Sequence, residues 1–450
     1  MITLNEILEA RENRAKIQRD IIEKYNETLI SFTLNIPGNI KVFPLTIKAY
    51  NEAVKLITNQ LKRYHLPIIY KAETKAKTGY EGYFVVKENP IKIKKMMVDI
   101  ENSCELGRIF DIDVLDNKCN KVSRHHVDEA ERKCLICGDN GHACSRSKKH
   151  TIEELHKKVS QIIEDYFINK FVNKCVSCAC RALLYEVCVT PKPGLVDRNN
   201  TGSHKDMDIF TFIDSTTVLT PYFRDLVLVG IKYYDEDLNK IFEKIRYLGM
   251  LAEDEMLMIT KDVNTHKGLI FSLGIICVAL GYLYKNNKEI ETDSILAVSK
   301  EMTSKINEDF KGITIENAKT FGEKQYAAYG LTGIRGEVVS GFTSVKNYGL
   351  PILKYLIHKG YSLNHASSLT LLNLIANVQD TNIVARSNFE TLKAVQLQIK
   401  KLNGRKGIEN IDISEVIDLD KQFIEQNISP GGCADLLAIT LMLYFLENII

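Results

Sequence analysis

The sequence predicts two domains, an α/β or α+β domain over residues 1–165 and a larger all-α domain over residues 166–450. The chain of 450 residues is too long for one typical core. Up to about residue 115, short apolar segments alternate with Pro, Gly and Asn, as strands do, whereas helical periodicity dominates after Thr151. With 45% hydrophobic and 26% charged residues, the composition is that of a folded protein rather than a disordered one.

The N-terminal domain is predicted to begin with an amphipathic helix, started by a capping box from Thr3 to Glu6. A second helix is predicted over residues 47–64, between segments with strand character. The pattern does not fix the order of the strands in the sheet. Strands are predicted over residues 32–36, 40–43, 67–70, 83–87, 96–100 and 109–114.

Charge and cysteine usage restrict the compartment and the class of partner. The formal net charge is +2, so no global field attracts nucleic acid. The first residues lack the features of a signal peptide, and eleven cysteines without an export signal indicate reduced thiols or a metal site in the cytoplasm. The longest apolar stretch, residues 269–284, is shorter than the ~20 residues that span a bilayer. We therefore expect a buried helix there, and no membrane partner.

The helical domain contains one segment rich in conformationally special and ionisable residues, PKPGLVDRNNTGSHKDMD over residues 191–208. Its prolines and glycines predict an irregular loop that exposes backbone amides. Its cations suit phosphate, and its carboxylates suit a metal ion. A solvated connecting loop with charged side chains is the alternative.

Further strings share this character. NTHKGLIFSLG, residues 264–274, predicts a capped helix whose first turn favours an anion, although a capped helix with a surface histidine has the same pattern. In GIRGEVVSGF, residues 333–342, and SPGGCADLLA, residues 429–438, glycines could let backbone amides approach a phosphate. The segment DTN, residues 380–382, followed by Arg386, adds a polar cluster.

Together these strings resemble the triphosphoribosyl-dephospho-CoA synthase family, from about residue 175 to the end of the chain. The resemblance implies an all-α enzyme that joins ATP to 3'-dephospho-CoA, links C1 of the ATP ribose to a ribose 2'-hydroxyl and releases adenine. Such a site must bind a triphosphate, support a cationic sugar centre and remove a hydroxyl proton. The substrate-binding candidates are Lys192, Arg198, His266, Lys267, Arg335 and Arg386, and the candidates for base work or Mg²⁺ binding are Asp206, Asp208 and Glu337, with His204 as a further catalytic candidate. The precise roles of the two histidines stay open.

In the N-terminal domain, GRIFDIDV predicts a strand on which Asp111 and Asp113 point to the same side. Two such carboxylates can share Mg²⁺, as nucleotidyl transfer commonly requires, or they can simply be solvated. The following segment carries Cys134, Cys137 and Cys144, whose first pair has zinc-like spacing. A fourth ligand could be His142 or His150, and reduced thiols without metal are the alternative.

The strings EARENRAKIQRDII from Glu9, LNIPGNIK from Leu34, GRIFDIDV and RKCLIC resemble the apo-citrate lyase phosphoribosyl-dephospho-CoA transferase family over about residues 1–160. The resemblance implies a nucleotidyltransferase-like domain that attaches the synthase product to a serine of the acyl carrier protein of citrate lyase, its gamma subunit, and releases pyrophosphate. It makes Arg11, Arg14, Asp111, Asp113 and Arg146 candidates for substrate and metal contacts.

Two other readings stay open at the level of sequence. The equivalent pathway for malonate decarboxylase uses the same prosthetic group on another carrier protein. A zinc-containing nucleic-acid-binding protein would instead have a basic, aromatic-rich surface, which a nearly neutral chain without Trp does not favour.

Overall fold

The chain forms two compact units, Met1–Lys170 and Phe171–Ile450. The structure, a computed structural model, describes residues 2–306, 312–319 and 321–449. The prediction of a sheet-containing N-terminal part and a larger all-helical part is confirmed.

The N-terminal unit is built on one five-stranded antiparallel sheet, in the order β2-β3-β1-β4-β5. An antiparallel sheet with helices is an α+β arrangement, which decides between the two predicted classes. The strands are β1 Thr28–Leu34, β2 Ile68–Ala76, β3 Gly79–Val86, β4 Phe110–Leu115 and β5 Lys121–Val122, and the helices are α1 Leu4–Tyr25, α2 Pro44–Arg63, α3 Pro90–Asn102 and α4 Gly141–Ser147.

Two predicted strands are wrong. Residues 96–100 lie within α3, because the Asn89 side chain caps the helix by accepting from the Ile91 amide at 2.8 Å and Pro90 starts its first turn. Residues 40–43 form an irregular segment that leads into α2. The short strand β5 was not predicted, since two residues carry no periodic signal.

Both faces of the sheet are covered. One face carries the larger apolar core, in which Phe32 and Phe110 meet edge to face with ring centroids 5.7 Å apart. On the other face, Ile21 and Ile22 of α1 pack against Leu29 and Val85. The polar N-terminal half of α1 therefore reaches the end of the sheet where β4 begins.

Helices form all the regular structure of the described residues of the second unit. Helix α5 begins before residue 171, and the others lie wholly within this unit. The helices are α5 Ile152–Cys188, α6 Ile209–Lys232, α7 Leu238–Thr260, α8 Lys267–Lys285, α9 Thr292–Met302, α10 Phe321–Tyr329, α11 Gly333–Ser340, α12 Leu350–His358, α13 Leu363–Asn377, α14 Thr381–Arg386, α15 Phe389–Lys406, α16 Ile413–Glu425 and α17 Gly431–Ile449.

Helix α8 is the predicted buried helix, and it lies in the core of this unit. Within the described chain it alone has the length and apolar composition to cross a bilayer, yet 72% of its most apolar window is buried inside the protein. It crosses α6 at close range, because a Cβ added at Gly230 would lie 2.1 Å from the carbonyl oxygen of Val278. The opposite end of α8, at Lys267, lines the cavity described next.

Candidate active sites

The helical unit contains a cavity of about 720 Å³. Its walls come from the loop over residues 191–208, the first turns of α8, α11 and α17, and parts of α5, α6, α7 and α14. Every string that the sequence analysis singled out in this unit contributes to the lining. The loop is not a solvated connector, because residues 191–197 are buried.

Most of the residues predicted for this unit lie around the cavity. The predicted residues in its lining are Lys192, His204, Asp206, His266, Lys267, Arg335 and Arg386. Three others lie outside it. Arg198 is exposed and holds the loop in place through Thr190 and Asn364, at 3.2 and 3.1 Å.

Asp208 and Glu337 also have partners of their own. Asp208 caps α6 by accepting from the Thr211 amide at 3.0 Å, and this hydrogen bond lowers its pKa. Glu337 accepts from the hydroxyl of Ser344 at 2.5 Å and from its amide at 3.2 Å, while burial raises the pKa of Glu337. The structure therefore does not bring Asp206 and Asp208 together as a metal pair in the cavity.

The cavity wall contains a buried ion pair, of which the sequence analysis predicted only Lys192. Lys192 Nζ lies 2.5 Å from Glu186 Oε1, and the two side chains are 2% and 4% exposed. Burial raises the pKa of Glu186, whereas the charge of Lys192 lowers it. Glu186 lies in the long helix α5, which carries many other charged residues, so nothing in the sequence distinguished it.

His266 presents a neutral ring at the cavity. Thr265 Oγ1 donates to Ser215 Oγ at 2.8 Å, which directs the Ser215 proton to His266 Nδ1 at 2.6 Å. Burial and the charge of Lys192 lower the pKa of His266 to about 3, so the ring carries one proton, on Nε2. Among the described residues, that buried Nε2 has no hydrogen-bond partner. An acceptor on a ligand would satisfy it.

Two helix N-termini open onto the same space. At α8, Asn264 caps the Lys267 amide at 3.2 Å, and at α17, Asp380 accepts from the Cys433 amide at 2.7 Å. Gly268, Gly431 and Gly432 line the cavity beside these ends. Helix N-termini attract anions through unpaired amides and the helix dipole.

Asp435 is a further acidic residue of the cavity lining that was not predicted. Its Oδ2 lies 2.1 Å from the position that a Cβ on Gly268 would occupy, so the carboxylate packs directly on the first turn of α8. Burial and the charges of Glu186 and Asp380 raise the pKa of Asp435 well above its ordinary value. The charges of Glu186 and Asp380 therefore disfavour the ionised form of Asp435.

Further polar groups surround these carboxylates. Lys267 pairs with Glu253, and His204 Nε2 lies 2.9 Å from the Ser429 hydroxyl. Burial and Arg386 lower the pKa of His204. Arg386 itself donates to the carbonyl of Ser203. Cations, neutral donors and a protonatable carboxylate thus share one cavity.

The N-terminal unit has a smaller pocket, of about 140 Å³, at the end of the sheet. It brings together Arg11 and Arg14 of α1, Asp111 of β4 and Lys41 of the loop before α2. Burial and the charge of Arg11 lower the pKa of Lys41. Tyr50, which is 1% exposed, lines the same pocket, and no described residue satisfies its hydroxyl. Lys41 and Tyr50 are additions to the predicted set.

The two aspartates of β4 are on one face of the sheet, as predicted, but only Asp111 lines the pocket. Its register partner is Thr33, and that of Asp113 is Ser31. Asp113 pairs with Lys121 at 2.6 Å. The surrounding protein and the charge of Asp113 raise the pKa of Asp111, whereas Arg132 lowers it.

The remaining predicted cation, Arg146, is an exposed residue of α4 and does not line this pocket. The three predicted cysteines do come together. The sulfurs of Cys134, Cys137 and Cys144 and a ring nitrogen of His150 all lie within 4.8 Å of one another. His142, the other predicted fourth ligand, is exposed and does not belong to the group.

Both halves of the chain match families of known description. Residues 173–450 match "CitG: ATP:dephospho-CoA triphosphoribosyl transferase", and residues 2–166 match "CitX: Apo-citrate lyase phosphoribosyl-dephospho-CoA transferase". These matches agree with the two resemblances found in the sequence.

Whole-length relatives carry both parts. Protein CitXG of Haemophilus influenzae is 33% identical over 98% of this chain and 95% of its own length, and Protein CitXG of Leuconostoc mesenteroides is 32% identical over 98% and 97%. The 2-(5''-triphosphoribosyl)-3'-dephosphocoenzyme-A synthase of Haemophilus ducreyi is 35% identical over 68% of this chain and 98% of its own length. This chain is therefore a transferase of the CitXG family, with a CitX part over residues 2–166 and a CitG part over residues 173–450.

Proposed function

We propose that the helical cavity joins ATP to 3'-dephospho-CoA with release of adenine, and that the pocket of the N-terminal unit transfers the product to a serine of the citrate lyase acyl carrier protein. The observation that carries the proposal is the convergence of Lys192, Lys267, Arg335 and two helix N-termini on one cavity beside Asp435. Polyphosphate binding needs the positive elements, and removal of a hydroxyl proton needs the carboxylate.

The triphosphate of ATP is proposed to lie between the starts of α8 and α17. Lys192 and Lys267 neutralise its charge, and the Nε2 proton of His266 donates to one of its oxygens. Because the His266 ring is neutral, it donates a hydrogen bond without adding repulsion to Lys192 nearby.

Asp435 is the proposed general base. Burial and the neighbouring negative charges raise its pKa, which makes its carboxylate a stronger base. In the reaction the bond from ribose C1 to adenine breaks, and the bond from C1 to the 2'-oxygen of dephospho-CoA forms. Asp435 removes the hydroxyl proton, and the departing adenine takes up one proton, so the charge balances.

Magnesium fits this donor set, although not at the predicted pair. Mg²⁺ is usually held by one or two carboxylates together with substrate phosphates. Asp208 is occupied as a helix cap and Glu186 as the partner of Lys192, so we assign the role to Asp206, which lines the cavity. When bound, Mg²⁺ would neutralise charge on the triphosphate.

For the second reaction, Arg11, Arg14 and Lys41 are proposed to hold the pyrophosphate part of the triphosphate. The serine oxygen attacks the phosphorus next to the ribose, the bond from that phosphorus to the pyrophosphate oxygen breaks, and Asp111 accepts the serine proton. The raised pKa of Asp111 favours this role.

Citrate lyase is favoured over malonate decarboxylase as the source of the acceptor, because the family matched by residues 2–166 is described by apo-citrate lyase. We place the protein in the cytoplasm, where ATP is available and where eleven free cysteines stay reduced. The proposal includes no nucleic-acid partner, since the net charge is only +2.

A two-step assay tests the assignment of each reaction to its unit. The full chain is incubated with ATP, Mg²⁺ and 3'-dephospho-CoA, and free adenine is quantified; apo acyl carrier protein is then added, and pyrophosphate is quantified. Asp435→Asn should lose the first signal, and Asp111→Asn only the second. Lys267→Ala removes a proposed contact to the triphosphate. Its matched control is Lys205→Ala, because Lys205 is exposed and lies outside the cavity lining. Normal adenine release by Asp435→Asn would remove the proposed base.

A further inference from the structure

The segment over residues 134–150 of the N-terminal unit gathers three thiols and one imidazole. The ligand atoms of Cys134, Cys137, Cys144 and His150 lie within 4.8 Å of one another, and all three cysteines are free. We propose that these four side chains bind one structural Zn²⁺ ion and thereby hold the segment against the start of β4.

The spacing of the sulfurs suits tetrahedral zinc. Zn–S bonds of about 2.3 Å in a tetrahedron separate two sulfurs by about 3.8 Å. The Cys134 and Cys144 sulfurs are 3.4 Å apart, and the Cys137 and Cys144 sulfurs are 4.0 Å apart. The observed distances lie on either side of the tetrahedral value.

The backbone around the first two cysteines supports bound thiolates. The Ile136 amide donates to the Cys134 sulfur at 3.5 Å, and the Cys134 amide donates to the Asp139 carbonyl at 2.7 Å. Gly138 has φ +75°, a conformation that glycine adopts without strain. This tight turn aims both sulfurs of the Cys-x-x-Cys pair at one point.

The fourth ligand is supplied by His150, which the sequence could not distinguish from His142. Nε2 of His150 is buried, and among the described residues it has no hydrogen-bond partner. A buried nitrogen without a partner is costly unless a ligand satisfies it. His142 is exposed, so its ring nitrogens have water as a partner.

Four protein ligands leave no open coordination position, which is typical of structural zinc rather than catalytic zinc. The cluster is tied to the catalytic strand by two arginines. Arg108 donates to the Cys134 carbonyl at 3.1 Å, and Arg132 donates to the carbonyl of Phe110 and pairs with the buried Glu101. Zinc would thus hold Arg132 in position. The positive charge of Arg132 lowers the pKa of Asp111.

Metal analysis of the full chain tests the site without any activity measurement. The protein is purified without chelators after growth with zinc, and its zinc content is measured by plasma mass spectrometry. We expect about one zinc per chain, lost in His150→Ala and Cys144→Ser and retained in His142→Ala. Cobalt exchanged into the wild-type protein should give thiolate charge-transfer absorption and the visible bands of tetrahedral coordination.

A wild-type chain that takes up no zinc on direct titration would overturn the proposal, as would full zinc retention by His150→Ala. Because a ligand variant could fail to fold, zinc is also displaced from the wild-type chain with a mercurial thiol reagent and detected with a chromogenic chelator. We expect the metal-free wild-type chain to lose pyrophosphate release at least tenfold and to keep adenine release. Equal loss of both activities would contradict a role confined to the N-terminal unit.

Discussion

Replacing Lys192 by Met removes the positive charge of the buried pair and leaves Glu186 without a counterion. Breaking such a pair costs about 3–5 kcal/mol when the remaining charge stays buried. Glu186 can escape part of this cost by taking up a proton. At pH 7, protonating a carboxyl with the ordinary pKa of 4.5 costs about 3.4 kcal/mol, and the raised pKa of Glu186 makes its own cost smaller. We therefore expect a loss of at most about 3 kcal/mol in the free energy of unfolding.

The pH dependence of this loss has a definite sign. In Lys192→Met the pKa of Glu186 rises further above 4.5, because the lowering effect of Lys192 is gone. The folded state then binds a proton that the unfolded state has already released, so stability falls as pH rises through the folded pKa. The loss in the free energy of unfolding of Lys192→Met, relative to the wild type, should accordingly become smaller as pH decreases from 7 toward 4.5.

Activity separates the two roles of Lys192. In the double variant Glu186→Gln with Lys192→Met, neither charge remains, and most of the stability should return. Adenine release should nevertheless stay low, since a charge-assisted hydrogen bond to the triphosphate is worth about 1.5–3 kcal/mol, or ~10- to 150-fold in kcat/KM. Unfolding is followed by far-UV circular dichroism, because the chain has no Trp. A double variant that released adenine at the wild-type rate would refute the contact between Lys192 and the triphosphate.

Four further changes probe the same reasoning. Gly268→Ala places a methyl group 2.1 Å from the Asp435 carboxylate, so adenine release should fall more than the melting temperature does; unaltered kinetics would contradict the proposed base. Asp111→Asn should reduce pyrophosphate release by ~100-fold or more and leave adenine release intact, whereas a parallel loss of both would argue for general unfolding. Gly230→Ala should lower the free energy of unfolding by about 1–3 kcal/mol or more, because the added methyl group overpacks the contact of α6 with α8. An unchanged free energy of unfolding would contradict the close approach of these two helices. In the wild type, His266 lowers stability as pH falls below 6.5, because only the unfolded state takes up the proton, and His266→Gln should flatten that part of the stability profile.

Local pattern was sufficient for much of the fold. The Thr3 capping box, the strand carrying Asp111 and Asp113, and the buried helix over residues 269–284 were all predicted, because each depends on residue spacing within a single segment. The strand predicted over residues 96–100 was wrong, since its apolar run is a buried part of helix α3. Short apolar runs fit both periods, and the Asn-Pro start upstream was the available signal that this segment is helical.

The candidate sites show the same limit. Lys192 was found because its segment predicts an irregular loop, and Lys267 was found because its segment predicts the capped start of a helix. Glu186 and Asp435 were missed, since each lies within a regular helix and acquires its chemistry only from tertiary neighbours. In the N-terminal unit, Lys41 was missed although its segment had been singled out, because only the folded sheet places it beside Arg11.

The glycines of the helical unit require a different explanation from the one that the sequence suggested. Those of residues 333–342 and 429–438 were expected to let backbone amides approach a phosphate. In the structure the missing side chains make room for other parts of the protein instead: a Cβ on Gly268 would meet the Asp435 carboxylate, one on Gly194 would lie 2.1 Å from the Ile428 carbonyl oxygen, and one on Gly432 would lie 3.1 Å from Asp380. These close approaches draw helix ends and loop together, and that convergence creates the cavity. The case for a bound triphosphate consequently depends on the cations and helix dipoles gathered there, and substitutions of those cations test it more directly than substitutions of the glycines.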